Sequence, residues 1–192
     1  MTLVTSTRLA LLLALIPLAQ AQIIAPKTLL LNGQTYELVY SEDGQPMHVY
    51  EYTPQDQETD DWDQMITLHY TPMWYVKGTT TANLLQAQKQ ELAQERPKPS
   101  YSVRPLSNGF MLHVLYPPLN PNSPLKQERA YESSVQRNFS VPTCEGIVSL
   151  HFATRLVPEP DASPAAIQAQ LKQLTQQGQE QVLQQDWQPQ CH

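Results

Sequence analysis

Tyr131-Glu132-Ser133-Ser134-Val135-Gln136-Arg137-Asn138-Phe139-Ser140-Val141 and, after the turn at Cys144, Ile147-Val148-Ser149-Leu150-His151-Phe152-Ala153-Thr154-Arg155-Leu156-Val157 form the stretch that decides how this chain folds. Side chains of a strand alternate between its two faces. In the first segment Tyr131, Ser133, Val135, Arg137, Phe139 and Val141 therefore share a face. The second segment is the most strand-like run in the chain. Two such runs so close together predict a sheet.

Working outward, the pattern repeats. Tyr101 to Leu106 and Phe110 to Tyr116 flank Asn108-Gly109, and Leu29 to Leu31 and Thr35 to Tyr40 flank Asn32-Gly33. Asn and Gly both tolerate positive φ, which a tight two-residue hairpin turn requires. A third turn signal, Glu42-Asp43-Gly44, leads into Met47 to Thr53, where His48, Tyr50 and Tyr52 alternate with Val49 and Glu51. Ile66 to Tyr70 is a short strand that Trp74 to Val76 extends beyond Pro72, so the N-terminal half reads as a meander. Pro117 to Pro124 holds four prolines and two asparagines, which predicts a loop.

Two segments have helical spacing instead. Thr79-Thr80-Thr81 caps Ala82 to Glu95, which stops at Arg96-Pro97 because proline disfavours helix in the residue before it. Its stripe is thin, Leu85 and Leu92 with Leu84 and Ala93 beside them, so most of its surface stays wet. Ser163 and Pro164 suit the N-cap and first position of the last helix, in which Ile167, Leu171, Leu174, Gly178 and Val182 make one face. Eleven of the 29 residues from Pro164 are glutamine, which reads as the solvated side of that helix, and Trp187 anchors its end. The expectation is an α+β fold, an antiparallel sheet of hairpins packed by two main helices at about 80–95 and 164–187, in one domain over residues 22–192. The sheet is antiparallel because two-residue turns join its strands directly.

This element order over roughly residues 28–187, with a short Trp62 segment before a strand and a terminal helix, resembles the Mog1/PsbP-like group, including small exported bacterial proteins of the DcrB type. The resemblance implies an antiparallel sheet with helices on both faces and an accessory or binding role rather than catalysis. It carries no functional residue across.

The first 21 residues read as a leader. Arg8 is their only charge, Leu9 to Leu18 is apolar but for Pro17, and Ala19-Gln20-Ala21 places small residues at a cleavage site. That is a secretory signal peptide, and its apolar run is shorter than the ~20 residues a membrane span needs. The expectation is a periplasmic or secreted protein with no membrane span after cleavage. Cys144 and Cys191, an even pair in an exported chain, are expected to form a disulfide.

Lys+Arg 12 against Asp+Glu 18 gives a net charge of −6, and losing Arg8 with the leader makes it −7. Such a surface repels nucleic acid and anionic lipid. The acidic run Asp56, Glu58, Asp60, Asp61 and Asp63 resembles a calcium loop only at its start, since the loop's sixth and twelfth positions are Asp61 and Thr67 rather than Gly and Glu. It reads instead as a solvated loop in which Thr59 or Asp60 caps a short helical turn through Gln64. With Trp74 and Tyr75 nearby, it is also a candidate docking surface for a basic protein partner. His69, His113 and His151 sit in expected strands, and neighbouring strands bring side chains within about 5 Å, so they are the candidate metal ligands. No nucleophile elbow, phosphate-cradling glycine loop or zinc-protease helix is present, so no catalytic residue and no cofactor is expected.

The function expected from these features is an exported, non-enzymatic accessory protein of the bacterial envelope that binds another protein. An immunity-type inhibitor of a secreted toxin, a periplasmic metal carrier and a hydrolase with scattered catalytic residues are the alternatives.

Overall fold

The computed structural model describes residues 23–191, except 45, 46, 58–60, 73–77, 79 and 186. The expected leader and the expected Trp74–Val76 strand extension lie outside the described residues. In chain order the elements are β1 (Ile23–Ile24), β2 (Thr28–Leu31), β3 (Gln34–Asp43), β4 (His48–Pro54), β5 (Gln64–Pro72), α1 (Thr81–Gln94), β6 (Ser100–Leu106), β7 (Gly109–Tyr116), α2 (Lys126–Arg129), β8 (Tyr131–Val141), β9 (Gly146–Leu156), α3 (Pro164–Gln184) and β10 (Gln190–Cys191).

Eight strands make one antiparallel sheet in the order β2-β3-β4-β5-β9-β8-β7-β6. It is two four-stranded meanders joined where β5 pairs with β9, Ile66 opposite Phe152 and His69 opposite Ser149. The fold is α+β but dominated by this sheet, with α1 over β7 and β8 and α3 over β8 and β9.

The two helices lie on opposite faces, and strand parity shows it. Gln88 of α1 reaches Gln136 of β8, while Gly178 of α3 packs on Val135 and Phe152. On the α3 face the alternating Tyr50, Tyr52, Ile66, Leu68, Tyr70, Val148, Leu150 and Phe152 build the main core, which Val182 of α3 and the tail residue Trp187 complete. Buried tyrosines need a partner for the hydroxyl. Tyr36 donates to Gln64 Oε1 at 2.7 Å and Tyr52 to the Pro26 carbonyl at 3.0 Å. The α1 face is thinner, with Leu92 on Phe110, Leu112 and Val114.

Helix starts follow the sequence. Thr80 accepts from the Asn83 amide and Ser163 from the Ala166 amide, both at 3.2 Å. Three details differ from expectation. Ala93 is exposed rather than part of the α1 stripe. The last helix ends at Gln184 rather than near 187, because the chain turns there to lay Trp187 on the core and bring Cys191 to Cys144. Residues 61–63 form no helical turn: Gln57 Oε1 accepts from the amides of Asp63 and Gln64 at 2.9 and 3.3 Å, which launches β5 instead.

The two Asn-Gly pairs also part company. Asn32 and Gly33 have φ of 50° and 79°, the positive values of a tight hairpin turn. In the second hairpin Leu106 already pairs with Gly109, so the turn residues are Ser107 and Asn108, one position earlier than expected. Gly109 is required there for a different reason: a Cβ would stand 1.9 Å from the Asn138 carbonyl oxygen of β8.

The expected disulfide is present. Cys144 and Cys191 are joined, with Cα atoms 5.5 Å apart and a sequence separation of 47. It holds β10 in place, and β10 in turn pairs with β1, Ile23 opposite Cys191. Both ends of the described chain are thus stitched to the turn before β9.

Candidate binding cleft

α1 covers β7 and β8, and beside it the sheet continues into β9 and β5. The step between helix and uncovered strands forms a cleft of about 320 Å³. That is the size range of small-molecule sites, ~300–1,000 Å³.

Parity decides which side chains form the floor. His69, Ser149, His151 and Gln136 all point to the α1 face, as their pairings His69 with Ser149 and His151 with Gln136 require. His69 and His151 are diagonal neighbours across the ladder, and their rings meet edge to face with centroids 4.5 Å apart. Burial strips water from both imidazoles and disfavours the cation. His69 is lowered to about 4, and His151, which His69 also opposes electrostatically, is lowered well below 6.5. Both rings are neutral at ordinary pH.

Polar atoms on this face are left over. Gln88 Nε2 donates to Gln136 Oε1 at 3.1 Å, but Gln88 Oε1 is shielded from solvent and has no partner. His151 Nε2 is likewise shielded and unpartnered. Asn138 accepts the Ser149 hydroxyl on Oδ1, and its Nδ2 is a third buried atom without a partner. A buried polar atom left unpaired costs about 1–3 kcal/mol, so three on one face of the sheet are conspicuous. The apolar part of the lining, Leu84 and Leu92 from α1 with Leu112, Val114 and Tyr116 from β7, is one packed cluster at the helix–sheet seam, with Glu91 and Glu95 on the α1 side.

The residues proposed from sequence are distributed as follows. His69 and His151 come together. His113 does not join them: it points to the α3 face, where its Nε2 lies 3.2 Å from Ser133 Oγ and 3.1 Å from Thr175 Oγ1. Adjacent strands put residues of opposite parity on opposite faces, so three strand histidines cannot all converge. Among the described residues no three His, Cys, Asp or Glu side chains gather into a metal-binding set. In the acidic run, Asp56 is exposed, and Asp61 and Asp63 are exposed carboxylates shared by Lys126, at 3.5 and 3.0 Å. Glu58, Asp60, Trp74 and Tyr75 lie outside the described residues. Trp62 is buried rather than presented, with the Arg155 guanidinium 3.6 Å above its ring.

Gln88, Gln136, Asn138 and Ser149 were not anticipated. One local signal existed. Gln88 stands four residues from both Leu84 and Leu92, a polar side chain within an otherwise apolar helical stripe.

A protein-family model matches residues 23–187 of this chain. The chain belongs to that family. No curated protein and no solved structure was found that matches it. The family match covers all three helices and all eight strands of the main sheet, the cleft included, and brings no activity with it.

Proposed function

We propose that this protein is an exported binding protein of the bacterial envelope and that it receives its ligand in the cleft beside α1. The observation that carries this reading is the cleft beside α1, whose lining includes Gln88 and His151, each with one buried side-chain atom, Oε1 and Nε2, left without a partner. Binding is favoured over catalysis because the hydroxyl of Ser149, which stands opposite His69 in the ladder, is committed to Asn138 rather than to an imidazole base.

Export is part of the same proposal and is supported by the leader-like residues 1–21 and by the Cys144–Cys191 bridge. Kinship with the Mog1/PsbP-like group is likewise a proposal, supported by the layout of one helix on each sheet face. Docking of a basic protein on the acidic segment, including the toxin-inhibitor form of that idea, is the competing reading. Lys126 already engages Asp61 and Asp63, and this favours the cleft. A metal carrier is weaker still, because His113 lies across the sheet from the other two.

The test is native mass spectrometry of the oxidised chain purified from its own envelope. A small-molecule adduct that survives gentle desolvation and is lost in Gln88→Leu supports the cleft. A stoichiometric protein partner that is lost on Asp61→Asn and Asp63→Asn, with no adduct, overturns it.

A further inference from the structure

Arg137 is the one charged side chain in the row Tyr131, Ser133, Val135, Arg137, Phe139 and Val141, whose face carries the main core. Its ladder neighbours, Met111 of β7 and Leu150 of β9, are both buried in that core. An ionised group in such company needs a counter-charge. Lys126 and Arg155 each have a carboxylate, but Arg137 has no ion pair among the described residues. Its guanidinium carbon lies 4.8 Å from the centroid of the Phe139 ring. That contact occupies the flat face of the guanidinium and leaves its in-plane N–H donors unspent. Nε is shielded from solvent and unpartnered. The two terminal nitrogens make no hydrogen bond among the described residues either, but they are not shielded, so they are the part a ligand can reach.

Arg137 lines a cavity of about 310 Å³ at the end of β8. The turn before β9 contributes Thr143 to it, and the C-terminal tail contributes Gln188 and Pro189. Those two tail residues are pinned on either side, by Trp187 on the core and by Cys191 in its bridge to Cys144. No Asp or Glu is among the described lining residues, although the chain as a whole is acidic. One guanidinium offsets one negative charge, and its two terminal nitrogens lie side by side, as the two oxygens of a carboxylate do. A phosphate would bring a second charge with no cation to meet it. Phe139 and Pro189 offer apolar surface to the body of a ligand.

We propose that this cavity is a second binding site, for a small organic monocarboxylate held end-on by the terminal nitrogens of Arg137 and walled by the bridged tail. It lies on the sheet face opposite the cleft and goes beyond the reading given above, so either site can fail without the other.

Benzoate is the probe, titrated into the oxidised chain at about pH 7, where its carboxylate is ionised. Benzamide, with the same ring and no charge, and phenyl phosphate, largely a dianion at that pH, run alongside. Binding is read from the shifts of the Arg137 side-chain N–H and of the Val141 and Thr143 backbone amides. Benzoate is expected to bind one to one and move these signals, and benzamide to bind at least about tenfold more weakly. Arg137→Gln should abolish the response. Arg137→Lys, which keeps the charge and loses the fork, should weaken benzoate about tenfold. Cys191→Ser, which releases the tail, should also weaken it, and unchanged binding there overturns the tail as a wall. Benzamide binding as tightly as benzoate, or a benzoate response that survives Arg137→Gln, overturns the role of Arg137. Tighter binding of phenyl phosphate overturns the ligand class. If about 10 mM benzoate moves none of these signals, an affinity even in the millimolar range is excluded and the site falls.

Discussion

His69 and His151 meet diagonally across the β5–β9 ladder with ring centroids 4.5 Å apart and planes 64° from parallel. Burial lowers both, His69 to about 4. A histidine depressed in the folded state binds its proton more readily in the unfolded chain. Its contribution to stability is therefore whole above about pH 6.5 and is lost as pH falls toward 4. For His69 alone the loss is on the order of 3 kcal/mol. Glu132, which burial raises, contributes with the opposite sign, so the comparison must be between proteins. Urea unfolding at pH 7 and pH ~4.5 should show a smaller acid loss in His69→Gln than in the wild type. Equal losses would mean these rings are solvated.

Gly109 and Gly33 predict two different penalties for the same substitution. A methyl at Gly109 meets backbone, the Asn138 carbonyl, which cannot move without breaking the β7–β8 ladder. Gly109→Ala should destabilise by about 3 kcal/mol, the upper range of overpacking. At Gly33 nothing lies within 4 Å, and only the φ of 79° is unfavourable for alanine, so Gly33→Ala should lose about 1 kcal/mol. Chemical denaturation midpoints order the two.

The Cys144–Cys191 bridge ties down both ends of the described chain at once. Its loop of 47 residues corresponds to about 4 kcal/mol on the chain-entropy argument. Cys191→Ser should lower the unfolding midpoint accordingly and, before global unfolding, raise hydrogen exchange at the amides of the β1–β10 pair. Protection there that survives loss of the bridge would show that Ile23 and Trp187 hold the ends by packing alone.

Arg155 lies between two partners, stacked 3.6 Å above Trp62 and 3.5 Å from a carboxylate oxygen of Glu132. A double-mutant cycle with Trp62→Leu and Arg155→Met should return a coupling of about 1 kcal/mol. Arg155→Met should also raise Glu132 further, since the guanidinium now opposes the effect of burial on it. A coupling indistinguishable from zero would reduce the stack to incidental proximity.

Much of this architecture could be read along the chain because it is written at short range. Alternation over Tyr131–Val141 is a period-two pattern, Thr80 and Ser163 cap the helices they precede, and Asn32-Gly33 takes the positive φ values that its two-residue turn uses. The second Asn-Gly pair misled by one residue. Its glycine answers to Asn138 on another strand, and no local rule reports on that.

The sequence by itself determined the strands of the main sheet and the two long helices, the parity within each strand, and the even cysteine pair available for bridging. Only the tertiary structure decided that β5 pairs with β9, and therefore that His69 meets His151 while His113 turns to Thr175. The reason is physical. Parity follows from backbone geometry within a few residues, but strand order depends on how two strands about 80 residues apart in sequence, β5 and β9, come to join two meanders over one buried face. The cleft exists because α1 is too narrow to cover all the strands on its side, and that is a property of the assembled layers alone.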